Sequence, residues 1–237
     1  EIQASDWSSD VCSSDLVARK FLDGFPGLVT YAVKSNPGEE VIENLIAAGV
    51  KGFDCASPFE IDLIRRLDPD AAIHYNNPVR SRAEIAHAVA REVKSYSVDS
   101  HSELAKLIEM VPVAGCEISV RFKLPVAGAA YNFGAKFGAT EDVAVELLKK
   151  VAAAGYIASI TFHPGTQCTD PHAWEAYIRE AANIAKAAGV TRFVQTSSTA
   201  AVIYGIDRGE YTFDESHWTD INHPDAYPYV KSKTLAE

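Results

Sequence analysis

Six short β-rich runs follow one another along this chain, at residues 28–33, 52–56, 72–76, 95–99, 117–124 and 157–163. Each pair is separated by a stretch whose apolar residues recur every three or four positions, as in Val41, Ile42, Leu45 and Ile46, or Val143, Val145, Leu147, Leu148 and Val151. Strand-then-helix units repeated in series predict a parallel sheet with helices laid outside it. The units run without a long crossover to mark a reversal of strand order, which favours a (β/α) barrel over an open doubly wound sheet. Helix starts are predicted at Ser102 with Glu103, and at Thr140 with Glu141 and Asp142.

Length and charge narrow what such a fold does. The 237 residues suffice for one large α/β domain or two small ones, and a hydrophobic share of 47% is ample for a core. A net charge of −10 with no basic block argues against nucleic acid or an anionic membrane as partner. No apolar run approaches the roughly 18 residues that span a bilayer, and no signal-peptide pattern opens the chain. Cys12, Cys55, Cys116 and Cys168 lack metal-ligand spacing and are too few for a disulfide scaffold, so no metal is expected and a reducing, cytoplasmic setting fits.

The chemistry concentrates at strand ends. The run Leu28 to Val33 stops at Lys34 and passes into Ser35-Asn36-Pro37. A lysine at a strand's C-terminal end, half-buried in a pocket, is what Schiff-base chemistry needs: desolvation lowers its pKa and frees the amine to attack an aldehyde. An isolated lysine there would more simply snorkel to water. This one has company. Asp54, Asn76, Asp99, Arg121 and His163 each fall at or just past the end of a different predicted strand. In a (β/α) barrel those ends converge on the face that carries the chemistry. Turn chemistry alone accounts for Asn76 and Asp99; it does not readily account for a lysine, an arginine and a histidine on one rim.

Five ordered motifs carry a resemblance. Tyr-Ala-Val-Lys-Ser-Asn-Pro (31–37), Gly-Phe-Asp-Cys-Ala-Ser (52–57), Tyr-Asn-Asn-Pro (75–78), Phe-Gly-Ala (137–139) and Phe-His-Pro-Gly-Thr-Gln-Cys-Thr-Asp-Pro (162–171) resemble the pyridoxal-phosphate decarboxylases of ornithine, lysine, diaminopimelate and arginine. The ornithine/lysine branch is the nearest in pattern. The resemblance covers residues 17 to about 190 and implies an alanine-racemase-like barrel, pyridoxal phosphate as cofactor, a basic amino acid as small-molecule substrate, a diamine product for polyamine biosynthesis, and a homodimer. It implies that Lys34 joins the cofactor covalently and that His163 stacks on its ring. It also implies that Thr166 donates to the phosphate, and that Asp54, Glu60 and Arg121 form the charged network around ring and lysine. Lys34 and His163 are thereby the expected catalytic residues, and Lys34, Asp54, Arg121, His163 and Thr166 the expected cofactor-binding ones.

The pattern changes at both ends. Past residue 190 the family's glycine-rich phosphate loop, its Glu-x-Gly-Arg strand and its β-domain do not follow. Residues 192–237 instead resemble an extended short-chain dehydrogenase/reductase, with Tyr229 as acid/base, Lys233 lowering its pKa and Ser198 polarising a carbonyl. That family's dinucleotide-binding Gly turn is missing upstream. Residues 6–16, Asp-Trp-Ser-Ser-Asp-Val-Cys-Ser-Ser-Asp-Leu, resemble a translated sequencing-library adapter. The expected division is therefore 1–16 adapter-like or disordered, 17–190 an incomplete barrel, and 191–237 a reductase-like fragment: a truncated, inactive chimera. Residues 192–197 are expected to take a seventh strand position, and those beyond about 206 to pack poorly. The alternatives are an NAD(P)-dependent reductase working through Ser198, Tyr229 and Lys233, or a non-catalytic, decarboxylase-like regulatory protein, against which Lys34 and His163 argue.

Overall fold

Six parallel strands lie side by side in the order in which the chain makes them, β1-β2-β3-β4-β5-β6. A computed structural model describes residues 13–24, 27–124, 137–163, 171–190, 219–224 and 231. The elements are α1 (Ser13–Gly24), β1 (Thr30–Ala32), α2 (Glu39–Ala47), β2 (Gly52–Cys55), α3 (Pro58–Leu67), β3 (Ala72–Tyr75), α4 (Arg82–Ala90), β4 (Ser95–Val98), α5 (His101–Met110), β5 (Glu117–Arg121), α6 (Glu141–Ala153), β6 (Ile157–Thr161) and α7 (Pro171–Ala187). A doubly wound sheet would reverse direction once from its first strand; this sheet never does, which is the order of a (β/α) barrel. Among the described residues no further strand pairs with β1 or β6, so the described sheet is open at both edges.

Alternation along the strands divides the sheet into two chemically distinct faces. Phe53, Ile73, Tyr75, Tyr96, Val98, Ile118 and Val120 are buried in one core with helix residues such as Ile42, Ile61, Ile85, Leu107 and Leu147. The intervening positions are polar: Asp54, His74, Ser95, Ser97, Ser119, Ser159. In-register pairing brings these into rows across the strands, so His74 Nδ1 meets Ser95 Oγ at 2.9 Å and Ser119 Oγ meets Ser159 Oγ at 2.6 Å. A sheet face this polar suits a lined site better than a packed barrel interior of branched side chains.

Helix starts follow capping chemistry, with one departure from expectation. Ser57 Oγ accepts from the Glu60 N–H at 3.3 Å, and Ser81 with Glu84 closes a reciprocal capping box at the start of α4. Thr140 stands at the N-cap position of α6, with Glu141 and Asp142 in its first turn, but its side chain makes no capping hydrogen bond. The N-cap position of α5 is Ser100, not Ser102, with no side-chain cap bond, and Glu103 is turned inward and buried, where its carboxylate accepts from the Arg80 N–H and from Lys106. A buried carboxylate needs such donors more than the helix end needs a second acceptor.

At the chain's ends the expected division meets two facts. Helix α1 begins at Ser13, four residues ahead of the boundary expected at residue 17. Thr219 is buried, at odds with the expectation that residues past 206 pack poorly, and Asp220 closes a local turn by accepting from the N–H groups of Asn222 and His223. The expected seventh strand at 192–197 lies outside the described residues. No helix among the described residues is long and apolar enough to cross a membrane.

Candidate active site

A cleft of about 520 Å³ opens at the C-terminal ends of the strands. Its lining takes Lys34 from the turn after β1, Asp54 from β2, Asn76 after β3, Ser97 from β4, Arg121 at the end of β5 and His163 just past β6. Four of the five residues expected to hold a cofactor thus come to one place, and the fifth, Thr166, lies outside the described residues.

Lys34 differs from expectation in setting. It sits in a 3-10 turn, Val33–Ser35, two residues beyond a β1 that ends at Ala32, and it is exposed rather than half-buried. The cause is its place at the sheet's margin, since β1 pairs only with β2 among the described residues. His163 is exposed as well.

Asp54 is anchored from both sides. Thr30 Oγ1 donates to its Oδ2 at 3.2 Å, and Asn76 Nδ2 donates to its Oδ1 at 2.9 Å. Burial nevertheless pushes its carboxyl above the usual carboxylate range, against the pull of His74, Thr30, Asn76 and Lys34. Arg121 lies with its guanidinium carbon 5.5 Å from the centre of the Phe137 ring. Burial, partly offset by Asp99, holds Arg121 below its ordinary range. The His163 imidazole is held below its ordinary value, first by partial burial and then by the positive charges of Arg121 and Lys34. Cys55 also lines the cleft, yet burial beside Glu60 and Asp54 pushes its thiol up to about 12, which removes it as a nucleophile.

Two residues stand elsewhere than expected. Glu60 does not line the cleft; its carboxylate accepts the Ala56 N–H at 2.7 Å and so closes the turn into α3. Asp99 accepts from the Gly138 N–H at 3.0 Å, which pins the Phe-Gly-Ala segment beside β5. Gly138 has φ +110°, and a Cβ there would come within 2.9 Å of the Phe122 carbonyl carbon, so only glycine permits this approach. Sequence reading passed over Ser97 and Phe162, because a serine or a phenylalanine in a strand gives no functional signal of its own. Ser198, Tyr229 and Lys233 lie outside the described residues, and none of the described His, Cys, Asp or Glu residues gather in threes to hold a metal.

Comparison with known proteins agrees with this geometry. The family described as "Pyridoxal-dependent decarboxylase, pyridoxal binding domain" matches residues 14–195. The chain is 36% identical to ornithine decarboxylase of Caenorhabditis elegans over 157 residues, 65% of this chain and 36% of that protein. It is 34% identical to lysine/ornithine decarboxylase of Selenomonas ruminantium over 149 residues, 62% of this chain and 37% of that one. The arginine decarboxylase of Paramecium bursaria Chlorella virus superposes with a TM-score of 0.66 at 27% identity, covering 75% of this chain and 48% of the other. The chain thus spans about a third of the length of the curated relatives it matches. With a sequential parallel sheet, a lysine and a histidine at opposite margins of one cleft, and a family match over most of its length, the chain belongs to the pyridoxal-dependent decarboxylases, and its residues 14–195 are that family's pyridoxal binding domain.

Proposed function

We propose that this chain is the cofactor-binding part of an enzyme that decarboxylates a basic amino acid, ornithine or lysine foremost, to the diamine that feeds polyamine biosynthesis. The observation that carries the reading is the convergence of Lys34, Asp54, Arg121 and His163 on one cleft of about 520 Å³, a size suited to a small aromatic cofactor.

The lining fits pyridoxal phosphate on its own chemistry. The ligand brings an aldehyde, an aromatic ring and a phosphate. The cleft offers a primary amine at Lys34, an imidazole and the ring of Phe162 for stacking, and Arg121 as a fixed positive charge. In this reading Thr166 and neighbouring backbone amides hold the phosphate. When bound, the cofactor supplies an electron sink for the pair left behind as carbon dioxide departs.

The chain's own part is to bind and to orient. Lys34, on an exposed turn at the margin, would supply the amine that holds the cofactor through its aldehyde. His163, whose uncharged form is favoured by burial and by the charges of Arg121 and Lys34, would lie against the ring without adding a third positive charge. Asp54, held by Thr30 and Asn76, presents a carboxyl whose proton is retained to a higher pH than usual and supplies a proton site on the floor of the cleft. The same reading makes the complete enzyme a cytoplasmic homodimer. Residues 196–237 and 6–13, outside the family match, are proposed as foreign to the barrel, of reductase-like and adapter-like origin.

The test is to mix the chain with pyridoxal phosphate, reduce with borohydride, and map the covalent label by mass spectrometry. A label on Lys34, absent from K34A, is expected. A wild-type chain that takes no label, or takes it equally in K34A, overturns the reading.

A further inference from the structure

Among the hydroxyls on the polar face of the sheet, Ser97 stands apart. Ser95 meets His74, Ser119 meets Ser159, and Thr30 donates to Asp54. Ser97 is 1% exposed, and its Oγ has no hydrogen-bond partner among the described residues. His74 Nε2, Tyr75 Oη and Arg80 Nε share that condition, but none of those residues lines the cleft, whereas Ser97 does. Buried hydroxyls are rarely left unpaired, because burial strips their water without replacing it.

The backbone at Ser97 cannot shift to relieve this. Its residue pairs in register with Ser119 of β5, and its carbonyl takes one arm of the Arg80 guanidinium. The other arm of Arg80 is held by the Tyr75 carbonyl at 3.0 Å, and the guanidinium lies between the Tyr75 and Tyr96 rings. Only rotation of the hydroxyl about its own bonds remains. On the floor of the cleft the neighbouring amides are already engaged: Asn76 with Asp54, and Asn77 with the Ala56 carbonyl.

We infer that Ser97 Oγ is a ligand-contacting group that completes its hydrogen bonding only when the cleft is filled, through a polar atom carried on the ring of pyridoxal phosphate. This rests on the proposed reading of the cleft as the site of that cofactor. A hydroxyl held unpaired in the free protein is preorganised: it gives up no internal bond when the ligand arrives, so its contribution goes wholly to binding.

The experiment is calorimetric titration of pyridoxal phosphate into the full chain, with S97A and S97T alongside, and thermal unfolding of all three without ligand. S97A is expected to weaken binding by about three- to tenfold, the worth of one neutral hydrogen bond. S97T, which keeps the hydroxyl, is expected to bind as wild type does. Without ligand S97A should melt no lower than wild type, since it loses only an unpaired group. Binding of S97A within twofold of wild type, loss in S97T as large as in S97A, or a lowered melting point of free S97A would each overturn the inference and leave the proposed function standing. A wild-type chain that does not bind pyridoxal phosphate overturns both.

Discussion

The guanidinium of Arg80 donates a 3.0 Å hydrogen bond to the main-chain oxygen of Tyr75 and lies 5.2 Å from the centre of the same residue's ring. With its second arm on the Ser97 carbonyl, Arg80 ties the ends of β3 and β4 together. Its backbone N–H reaches Glu103, which Lys106 pairs at 2.6 Å, so the start of α5 is drawn into the same knot. Arg80→Met would keep most of the volume and leave two buried carbonyls unpaired, at about 1–3 kcal/mol each. A loss of roughly 2–5 kcal/mol in urea unfolding is expected, with R80K intermediate. A loss under about 1 kcal/mol would show that the staple is ornamental.

Asn76 and Asp54 form the polar floor of the cleft, and their bond has a sign that can be read. Donation from Asn76 favours the charged carboxylate, so Asn76→Ala should push the Asp54 carboxyl still further above its usual range. Carboxyl NMR titration of the two proteins measures this; an unchanged or lowered midpoint in N76A contradicts it. A raised folded-state pKa also sets the stability profile. The contribution of Asp54 is fully present below the unfolded value of about 3.9 and is lost as pH rises through the folded value. Asp54→Asn should remove that loss and gain stability at neutral pH relative to acid.

His163 runs the opposite way. Partial burial holds its imidazole low, and Arg121 and Lys34 add repulsion to the charged form. Its contribution to stability is present above the unfolded value of about 6.5 and is lost as pH falls through the folded value. Histidine NMR should place its midpoint below about 6.5, and Arg121→Gln should raise it by removing a positive neighbour. A midpoint that falls or stays fixed in R121Q would separate these two residues.

Much of this fold was legible in the chain because its signals are periodic. All six strands stand where β-rich runs predicted them, but the first run and the last two overshoot most. Residues 122–124 and 162–163 read as strand because Phe122, Leu124 and Phe162 are apolar. In the structure they leave β5 and β6 to build an aromatic cluster, with Phe162 stacked on Tyr177 at 4.9 Å and Phe122 at 5.4 Å from the same ring. Tertiary packing there outweighs strand propensity. The placement of Lys34, Asp54, Arg121 and His163 at strand ends followed from motif and position together. The turn that exposes Lys34, the capping role of Glu60 and the unpaired hydroxyl of Ser97 depend on contacts 3 to 5 Å across, for which spacing along the chain carries no sign.

The start of α3 offers a smaller, cleaner test. Ser57 Oγ accepts from the Glu60 N–H while the Glu60 carboxylate accepts from Ala56, so each side chain satisfies a donor that the helix start leaves open. Ser57→Ala should cost about 1 kcal/mol in urea unfolding. Glu60→Gln should cost less, since an amide oxygen still accepts. If E60Q instead abolishes pyridoxal phosphate binding while leaving stability intact, Glu60 belongs to the site and not to the helix.

Turnover is the final expectation, and it is a negative one. The chain spans 36% of the length of the C. elegans ornithine decarboxylase it matches, and its sheet is open at β1 and β6 among the described residues. An open edge leaves ladder groups unpaired, and it leaves Lys34 on the rim with solvent on one side. Exposure to water weakens every electrostatic contact in the cleft, because charges that act strongly in a dry pocket are screened in a wet one. Binding survives such losses better than catalysis, which depends on groups held in register with the transition state. The chain is therefore expected to take a Lys34-dependent label from pyridoxal phosphate yet to release no measurable carbon dioxide from ornithine, lysine or arginine. With Ser198, Tyr229 and Lys233 but no dinucleotide-binding Gly turn, it is likewise expected to oxidise no NADPH with carbonyl substrates. Carbon dioxide release that disappears in K34A would show that six strands make a working enzyme, and that the reading of the chain as an inactive fragment is wrong.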